Sequence, residues 1–184
     1  IIRRFKECGE FVTKHKLRTC FHPDQFVVLN SPRADVVEKS VLELEYQAEV
    51  AEWAGADVIN IHGGGAYGDK QKALADFARN IDRLSSRARS RLTVENDDKT
   101  YTPADLLPVC RSTGIPLVYD VHHHRCNPDE LSIEEIKLVI QVYVERLNEL
   151  EKDQRFKYAL LFKNHGLISG SARDVIRHTR SQLI

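Results

Sequence analysis

Short apolar runs alternate with longer amphipathic segments along this chain. Five runs rich in β-branched or apolar residues fall near residues 17–21, 58–61, 92–94, 117–119 and 158–162. Runs of this length are typical of buried strands, and the segments between them have the 3.6-residue period of amphipathic helices. Strands that alternate with helices pair in parallel, so the pattern predicts an α/β fold with a parallel sheet.

Capping signals predict where the helices between these strands begin and end. Ser31 followed by Pro32 predicts an N-cap and a first helical residue, in a helix that runs to about Trp53 and closes at Gly55. The other predicted helices cover residues 70–89, 103–113 and 133–150. The residues before the first strand also have helical character.

Length and element order leave two α/β architectures open. A chain of 184 residues is one domain by the usual size of domains. Five strand units fit either an open parallel sheet or part of a (β/α)₈ barrel, which takes about 250 residues when whole. In the second case, residues 1–184 form a single partial barrel that lacks three strand units.

Composition and charge are those of an ordinary globular protein. Apolar residues make up 42% of the chain and charged residues 29%, and the formal net charge is zero. No global field therefore attracts nucleic acid or a membrane, which counts mildly against DNA binding, although a local groove can still be basic. The four cysteines show no CxxC spacing, which indicates a reducing compartment. With no signal peptide or membrane span evident, an intracellular protein without a membrane partner is expected.

Each predicted strand is followed by a residue of a type that binds metals or transfers protons. In chain order these residues are His22, His62, Glu95, Asp120 and His165. Because the carboxyl ends of parallel strands form one face of the fold, we expect these side chains to lie close together. Any one of them alone is more often a hydrogen-bonded loop residue, but that explanation does not account for five of five.

The ligand types predict a metal centre and leave its reaction open. Imidazole and carboxylate ligands without thiolate fit Mn, Zn, Fe or Co rather than a structural cysteine–zinc site. More than four ligands imply two or three ions, and a carboxylate such as Glu95 can bridge two of them, with Asn96 a candidate donor nearby. Such clusters activate water and neutralise charge at phosphorus, but they also serve sugar isomerases.

Several neighbours of these residues refine the prediction. Three glycines at residues 63–65 allow close approach of the backbone to a ligand. His122 and His124 are interpreted as residues without a role at the metals. Lys163 precedes His165 by two residues, so both face the same side of a strand. A lysine among metal ligands is unusual unless it is neutralised or modified.

Five motifs, in this order, resemble those of the UV damage endonucleases, which are TIM-barrel enzymes related to endonuclease IV and the xylose-isomerase-like barrels. The motifs are "FHPDQF", "IHGGG", "VENDD", "DVHHH" and "FKNHG", and the resemblance extends from His22 to about His178. It implies a TIM (β/α)₈ barrel that is partial here, with about five strand–helix units. Strand units are then lacking on both the N-terminal and C-terminal sides. Either the sequence is a piece of a longer chain, or dimerisation or another chain completes the barrel.

The same resemblance implies two or three divalent ions, with Mn²⁺ the first candidate and Zn²⁺, Co²⁺ or Mg²⁺ the alternatives. The implied ligands are His22, His62, Glu95, Asp120, His123, His165 and His178. The family motif D-x-x-H selects His123 from the run of three histidines. Lys163 corresponds to a lysine that is carboxylated in the family, and it joins Glu95 as an implied catalytic residue.

The resemblance also gives a reason for two large side chains in the loop after His22. Gln25 and Phe26 match a polar–aromatic pair that family members insert into the duplex where a damaged dinucleotide is flipped out. An aromatic ring and an amide can fill the gap that two extruded bases leave. The alternative for Phe26 is that its ring packs beneath the loop.

The implied function is enzymatic: a DNA repair endonuclease that binds damaged double-stranded DNA. It hydrolyses the phosphodiester on the 5′ side of UV-induced or other distorting lesions. The expected location is the cytoplasm of a prokaryote, or the nucleus or mitochondrion of a eukaryote. Two other functions stay open, namely a sugar isomerase or epimerase on the same barrel, and a non-catalytic fragment that binds metal or a partner.

Overall fold

The computed structural model describes residues 1–132 and Ile136, and within them the predicted alternation of strands and helices is confirmed. In chain order the elements are α1 (Ile2–Lys14), β1 (Cys20–Phe21), α2 (Ala34–Ala54), β2 (Val58–His62), α3 (Lys70–Ile81), α4 (Ser86–Arg89), β3 (Leu92–Glu95), α5 (Pro103–Thr113), β4 (Leu117–Val118) and α6 (Val121–Cys126). The predicted strand at 158–162 lies outside the described residues, as does the predicted helix over 133–150 apart from Ile136.

The four strands form one parallel sheet in the order β1-β2-β3-β4. His62 pairs with Glu95 at the carboxyl ends of β2 and β3, and Glu95 pairs in turn with Val118 of β4. Each strand therefore neighbours the next one along the chain, as in a (β/α)₈ barrel, whereas a doubly wound open sheet reverses its order at a switch point. All four carboxyl ends lie along one edge.

The two faces of the central strands differ in chemistry. On one face, Ile59, Ile61, Leu92 and Val94 are at most 2% exposed and form one hydrophobic core with the helices. Alternate residues of a strand point to opposite faces, so the other face carries the polar residues Asn60, His62, Thr93 and Glu95. All of these except His62 are also buried. The polar face leads directly to the carboxyl edge of the sheet.

The predicted start of the second helix is wrong by two residues. Ser31 does not cap the helix, because its hydroxyl accepts a 3.2 Å bond from the backbone N–H of Arg33, within the turn that precedes the helix. Arg33 is the N-cap, and its guanidinium pairs with Asp35 in the first helical turn at 2.7 Å. The predicted end is confirmed, since Gly55 adopts φ +69° there.

The single helix predicted over residues 70–89 is two helices, α3 and α4. Ser85 starts the second one, since its hydroxyl accepts a bond from Ala88 N–H. Ser85 is itself held by Glu45 of α2, which accepts bonds from its backbone N–H at 2.6 Å and its hydroxyl at 2.7 Å. The apolar stripe survives the break, because Phe77, Ile81 and Leu84 are all buried.

The helix predicted over 103–113 is confirmed as α5. Thr102 and Asp105 form a capping box at its start, and Gly114 adopts φ +78° at its end. All four cysteines of the chain are free thiols. Among the residues that the structure describes, every helix is too short or too polar to cross a membrane.

Candidate metal centre

The carboxyl edge of the sheet brings together five side chains that the sequence singled out. His22 follows β1, His62 ends β2, Glu95 ends β3, Asp120 follows β4, and His123 lies in the first turn of α6. They form two groups that share Glu95. The ligand atoms of His22, His62 and Glu95 lie within 4.8 Å of one another, and so do those of Glu95, Asp120 and His123.

Glu95 lies between these two groups and is completely buried. Its Oε2 atom lies 3.6 Å from His22 Nε2, and its Oε1 atom lies 3.6 Å from His123 Nδ1. The Nδ1 atom of His22 is 3.1 Å from the carbonyl oxygen of Pro23, and that of His123 is 2.9 Å from the carbonyl oxygen of Asn96. Donation at Nδ1 leaves Nε2 of His22, the atom that faces Glu95, as the nitrogen that can bind an ion. In His123 the nitrogen that faces Glu95 is the same Nδ1 that lies against the Asn96 carbonyl oxygen.

Two buried polar atoms at the centre fit a metal ion. Within the described residues, His62 Nδ1 and Glu95 Oε1 make no hydrogen bond and are shielded from solvent. Leaving such an atom without a partner costs about 1–3 kcal/mol. An imidazole nitrogen and a carboxylate oxygen are both metal ligands, so a cation bound at each would satisfy it. The donor set therefore fits the metal centre that the sequence predicts.

The protonation states also suit cation binding. Burial lowers the pKa of His62, and the neighbouring His22 lowers it further, while Glu95 opposes the shift. His62 is thus held in the neutral form that binds metals. Burial works against ionisation of Asp120, but bonds from the backbone N–H groups of His123 and His122 outweigh it, so the pKa of Asp120 is lowered. Those bonds are 3.0 and 2.7 Å long and cap α6.

The side-chain amide of Asn96 supports the centre by binding the backbone of Asp120. Its amide donates to the carbonyl oxygen of Asp120 at 3.0 Å and accepts from the N–H of Asp120 at 2.8 Å. This pair of bonds ties the residue after β3 to the residue after β4. The relative position of Glu95 and Asp120 is fixed as a result.

The other two histidines of the run at residues 122–124 lie outside both ligand groups. This agrees with their interpretation from the sequence as residues without a role at the metals. His122 is exposed. His124 is buried between Tyr119 and Asp129, with its Nδ1 2.8 Å from the Tyr119 hydroxyl and its Nε2 2.9 Å from Asp129 Oδ1. Asp129 also accepts a 2.8 Å bond from the N–H of Ala104 at the start of α5. His124 therefore anchors α6, which carries His123, to the neighbouring helix.

An open groove of about 1320 Å³ lies beside the centre, lined by His22, His62 and His123 as well as by Gln25 and Phe26. Phe26 is 76% exposed, so its ring does not pack beneath the loop. The loop turns tightly there, because Asp24 Oδ1 accepts a 3.0 Å bond from the N–H of Phe26. The turn presents an aromatic ring at the mouth of the groove.

Carboxylates outnumber ammonium groups along this groove. Its charged residues, apart from the histidines, are Asp24, Glu43, Asp97, Asp98, Lys39 and Lys99. A polyanion is repelled by such a surface unless cations offset the carboxylates. The groove thus needs bound ions, in addition to its own lysines, to attract phosphates.

The glycine loop after His62 is held by two residues that the sequence did not single out, Asn30 and Tyr101. The amide of Asn30 and the hydroxyl of Tyr101 both donate to the carbonyl oxygen of Gly65, at 2.8 and 2.9 Å. A Cβ on Gly63 would lie 2.6 Å from the Tyr101 ring, and one on Gly64 would lie 2.2 Å from Asn30 Oδ1. The glycines do permit a close approach, but protein side chains fill the space. Lys163, His165 and His178 lie outside the described residues.

Comparison with known proteins finds UV DNA damage endonucleases among the relatives of this chain. The family described as UV-endonuclease UvdE matches residues 1–177 of the chain. A UV DNA damage endonuclease from Bacillus pumilus strain SAFR-032 is 44% identical over 131 residues, which cover 70% of this chain and 41% of the relative. The chain therefore aligns with about two fifths of the length of that protein.

Solved structures agree with the barrel fold. The crystal structure of SacUVDE matches with a TM-score of 0.72 and 34% identity, over 76% of this chain and 49% of that one. A xylose isomerase-like TIM barrel fused to a 4-hydroxyphenylpyruvate dioxygenase matches with a TM-score of 0.56 and 14% identity, over 95% of this chain and 27% of that one. The second likeness shows the fold alone. The predicted α/β TIM-barrel fold is confirmed, and the chain belongs to the UV-endonuclease UvdE family.

Proposed function

We propose that this protein is a metal-dependent endonuclease of DNA repair that hydrolyses the phosphodiester on the 5′ side of UV-induced or other distorting lesions. The observation that carries the proposal is the position of Glu95, whose two carboxylate oxygens each lie 3.6 Å from a histidine of a different ligand group. One carboxylate between two ligand groups suits a pair of bridged ions. Family membership and the names of the relatives support the substrate.

In this proposal, His22, His62 and Glu95 would hold one ion, and Glu95, Asp120 and His123 would hold the other. Mn²⁺ is the first candidate, and Zn²⁺, Co²⁺ and Mg²⁺ are the alternatives. Divalent ions at such a site supply Lewis acidity, which polarises a phosphodiester and makes water more acidic. The remaining proposed members of the centre are Lys163, His165 and His178, which lie outside the described residues.

Damaged double-stranded DNA is the proposed partner, and Phe26 and Gln25 are the proposed contacts to the lesion. Phe26 is 76% exposed at the mouth of the groove, where an apolar ring gains nothing from the protein itself. Stacking of a base on an aromatic side chain is worth about 1–3 kcal/mol. The neighbouring amide of Gln25 can pair with base edges that a flipped nucleotide leaves without a partner.

A strand-incision assay tests this function. The substrate is a duplex oligonucleotide with one pyrimidine dimer and Mn²⁺, and the enzyme is the longest form of the protein that can be expressed. We expect a cut immediately 5′ of the dimer, and a rate that falls by more than about 100-fold in Glu95→Gln, since even residues behind the ligands change activity by 10–100-fold. Equal rates of cutting in the two proteins would refute the role of Glu95.

A matched variant separates this effect from a general loss of carboxylate. Glu10 lies exposed on α1, remote from the ligand groups, so Glu10→Gln makes the same chemical change elsewhere and should cut at the wild-type rate. Glu95→Gln should unfold no earlier than the wild type in the absence of metal, because it removes a buried charge. Turnover of a small sugar without any incision would favour the isomerase instead.

A further inference from the structure

A buried asparagine outside both ligand groups holds one oxygen of Glu95. Asn60 of β2 and Thr93 of β3 are 4% and 3% exposed, and they are direct neighbours in the sheet. The Asn60 amide Nδ2 donates to Glu95 Oε2, and its Oδ1 accepts a 2.9 Å bond from the hydroxyl of Thr93. The three side chains lie on the polar face of the strands and form one line that ends at the metal centre.

The direction of these bonds is fixed by chemistry. An ionised carboxylate can only accept hydrogen bonds, so the amide nitrogen of Asn60 has to face Glu95. The amide oxygen then faces Thr93, whose hydroxyl donates its proton to it. Glu95 therefore determines which way the Asn60 amide is turned, and the hydroxyl of Thr93 holds the amide oxygen in that position. Asn60 in turn restrains the Glu95 carboxylate.

The orientation of Glu95 matters because its two oxygens face different groups. Oε2 lies towards His22, and Oε1 lies towards His123. The terminal torsion of a glutamate has a broad energy minimum, so an unrestrained carboxylate can turn both oxygens to the same ion. The bond from Asn60 to Oε2 opposes that rotation and keeps the oxygens apart.

We propose that Asn60, held in place by Thr93, is a positioning residue that holds Glu95 as the bridge between two ions. This inference rests on the metal centre of the proposed function and adds a role for two residues that do not contact the ions. Without the Asn60 bond, the Glu95 carboxylate would be free to turn both oxygens towards one ligand group. The other group would then lack a ligand, and an ion there would bind more weakly.

Mn²⁺ binding to the metal-free, longest expressible protein tests this inference, by calorimetric titration and by electron paramagnetic resonance. We expect the wild type to bind two ions with an exchange-coupled spectrum. Asn60→Ala should bind the first ion normally and the second 10–100-fold more weakly, about the effect of removing a residue behind a ligand, and the coupled spectrum should disappear. Thr93→Val should change both readouts in the same direction, and Thr93→Ser, which keeps the hydroxyl, should restore them.

A purely structural role for Asn60 makes a different prediction, in which stability falls while the ratio of the two affinities stays constant. Asn80→Ala is the matched control. Asn80 lies in α3, and its amide donates a 2.7 Å bond to the carbonyl oxygen of Leu29, so the substitution removes an amide that does not bind Glu95. It should lower the melting temperature without changing either affinity. If Asn60→Ala does not fold, Thr93→Val decides the question, because valine has nearly the shape of threonine.

Two results would overturn the inference, and they are distinguishable. Wild-type affinities and an unchanged coupled spectrum in both Asn60→Ala and Thr93→Val would show that Glu95 needs no positioning, while the metal centre itself would stand. A wild type that binds no Mn²⁺ would refute the metal centre of the proposed function, and with it this inference, before any variant is compared.

Discussion

Gly64→Ala is the substitution for which the structure gives the most definite prediction. Gly64 follows His62 by two residues and adopts φ +81°, a backbone conformation that favours glycine. A Cβ at this position would lie 2.2 Å from Oδ1 of Asn30. Asn30 is only 1% exposed, so its amide has no open space to move into.

Two terms add in the expected loss of stability. The left-handed backbone costs a residue with a Cβ about 1–2 kcal/mol. Displacing Asn30 breaks its bonds to the Gly65 carbonyl oxygen and the Tyr101 hydroxyl, at 2.8 and 3.1 Å, and each is worth about 0.5–1.5 kcal/mol. We therefore expect Gly64→Ala to lower the free energy of unfolding by about 2–5 kcal/mol.

Gly68→Ala is an internal control for the backbone term. Gly68 adopts φ +83°, yet a Cβ there would meet nothing within 4 Å. Urea denaturation of both variants should give about 1–2 kcal/mol for Gly68→Ala and a clearly larger loss for Gly64→Ala. Equal losses in the two variants would refute the claim that Asn30 and the glycine loop are tightly packed together.

Three further outcomes are expected. Tyr101→Phe should lower the free energy of unfolding by about 1–2 kcal/mol, because Gly65 loses a donor; unchanged urea denaturation would contradict this. Asp129 has a lowered pKa, since bonds from Ala104 N–H and His124 outweigh its burial. The stabilisation that ionised Asp129 provides is thus complete above the pKa of an unfolded aspartate, about 3.9, and is lost as pH falls through the folded pKa. The difference in unfolding free energy between wild type and Asp129→Asn should therefore shrink between pH 6 and pH 2. A constant difference would contradict the lowered pKa. Phe26→Ala should weaken binding to dimer-containing duplex by about 1–3 kcal/mol in a fluorescence titration, without changing the melting temperature, and unchanged affinity would exclude the ring from the DNA contact.

The clustering of the strand-end side chains could be predicted from the sequence because it follows from one topological rule. Parallel strands joined by helices end at the same edge, so His22, His62, Glu95 and Asp120 could be placed together without knowledge of any distance. His123 also belongs to this group in the structure. The sequence alone did not separate His123 from the other two histidines of the run, but the family resemblance did.

Apart from the start of α2, what the sequence missed depends on contacts between residues far apart in the chain. The helix over 70–89 breaks because Glu45 of α2 binds Ser85, and nothing within the segment itself indicates this partner. Asn30 and Tyr101 hold the glycine loop from positions 35 and 36 residues away from Gly65. Asn60 looked like an ordinary strand residue, because only the register with Thr93 brings its amide to Glu95.

The central claim is that Glu95 bridges two ions at the carboxyl edge of the sheet. Anomalous diffraction at the manganese absorption edge, from crystals of the protein grown with Mn²⁺, tests it most directly. The account predicts one peak among His22, His62 and Glu95, and another among Glu95, Asp120 and His123. Peaks that leave Glu95 bound to a single ion, or to none, would contradict it.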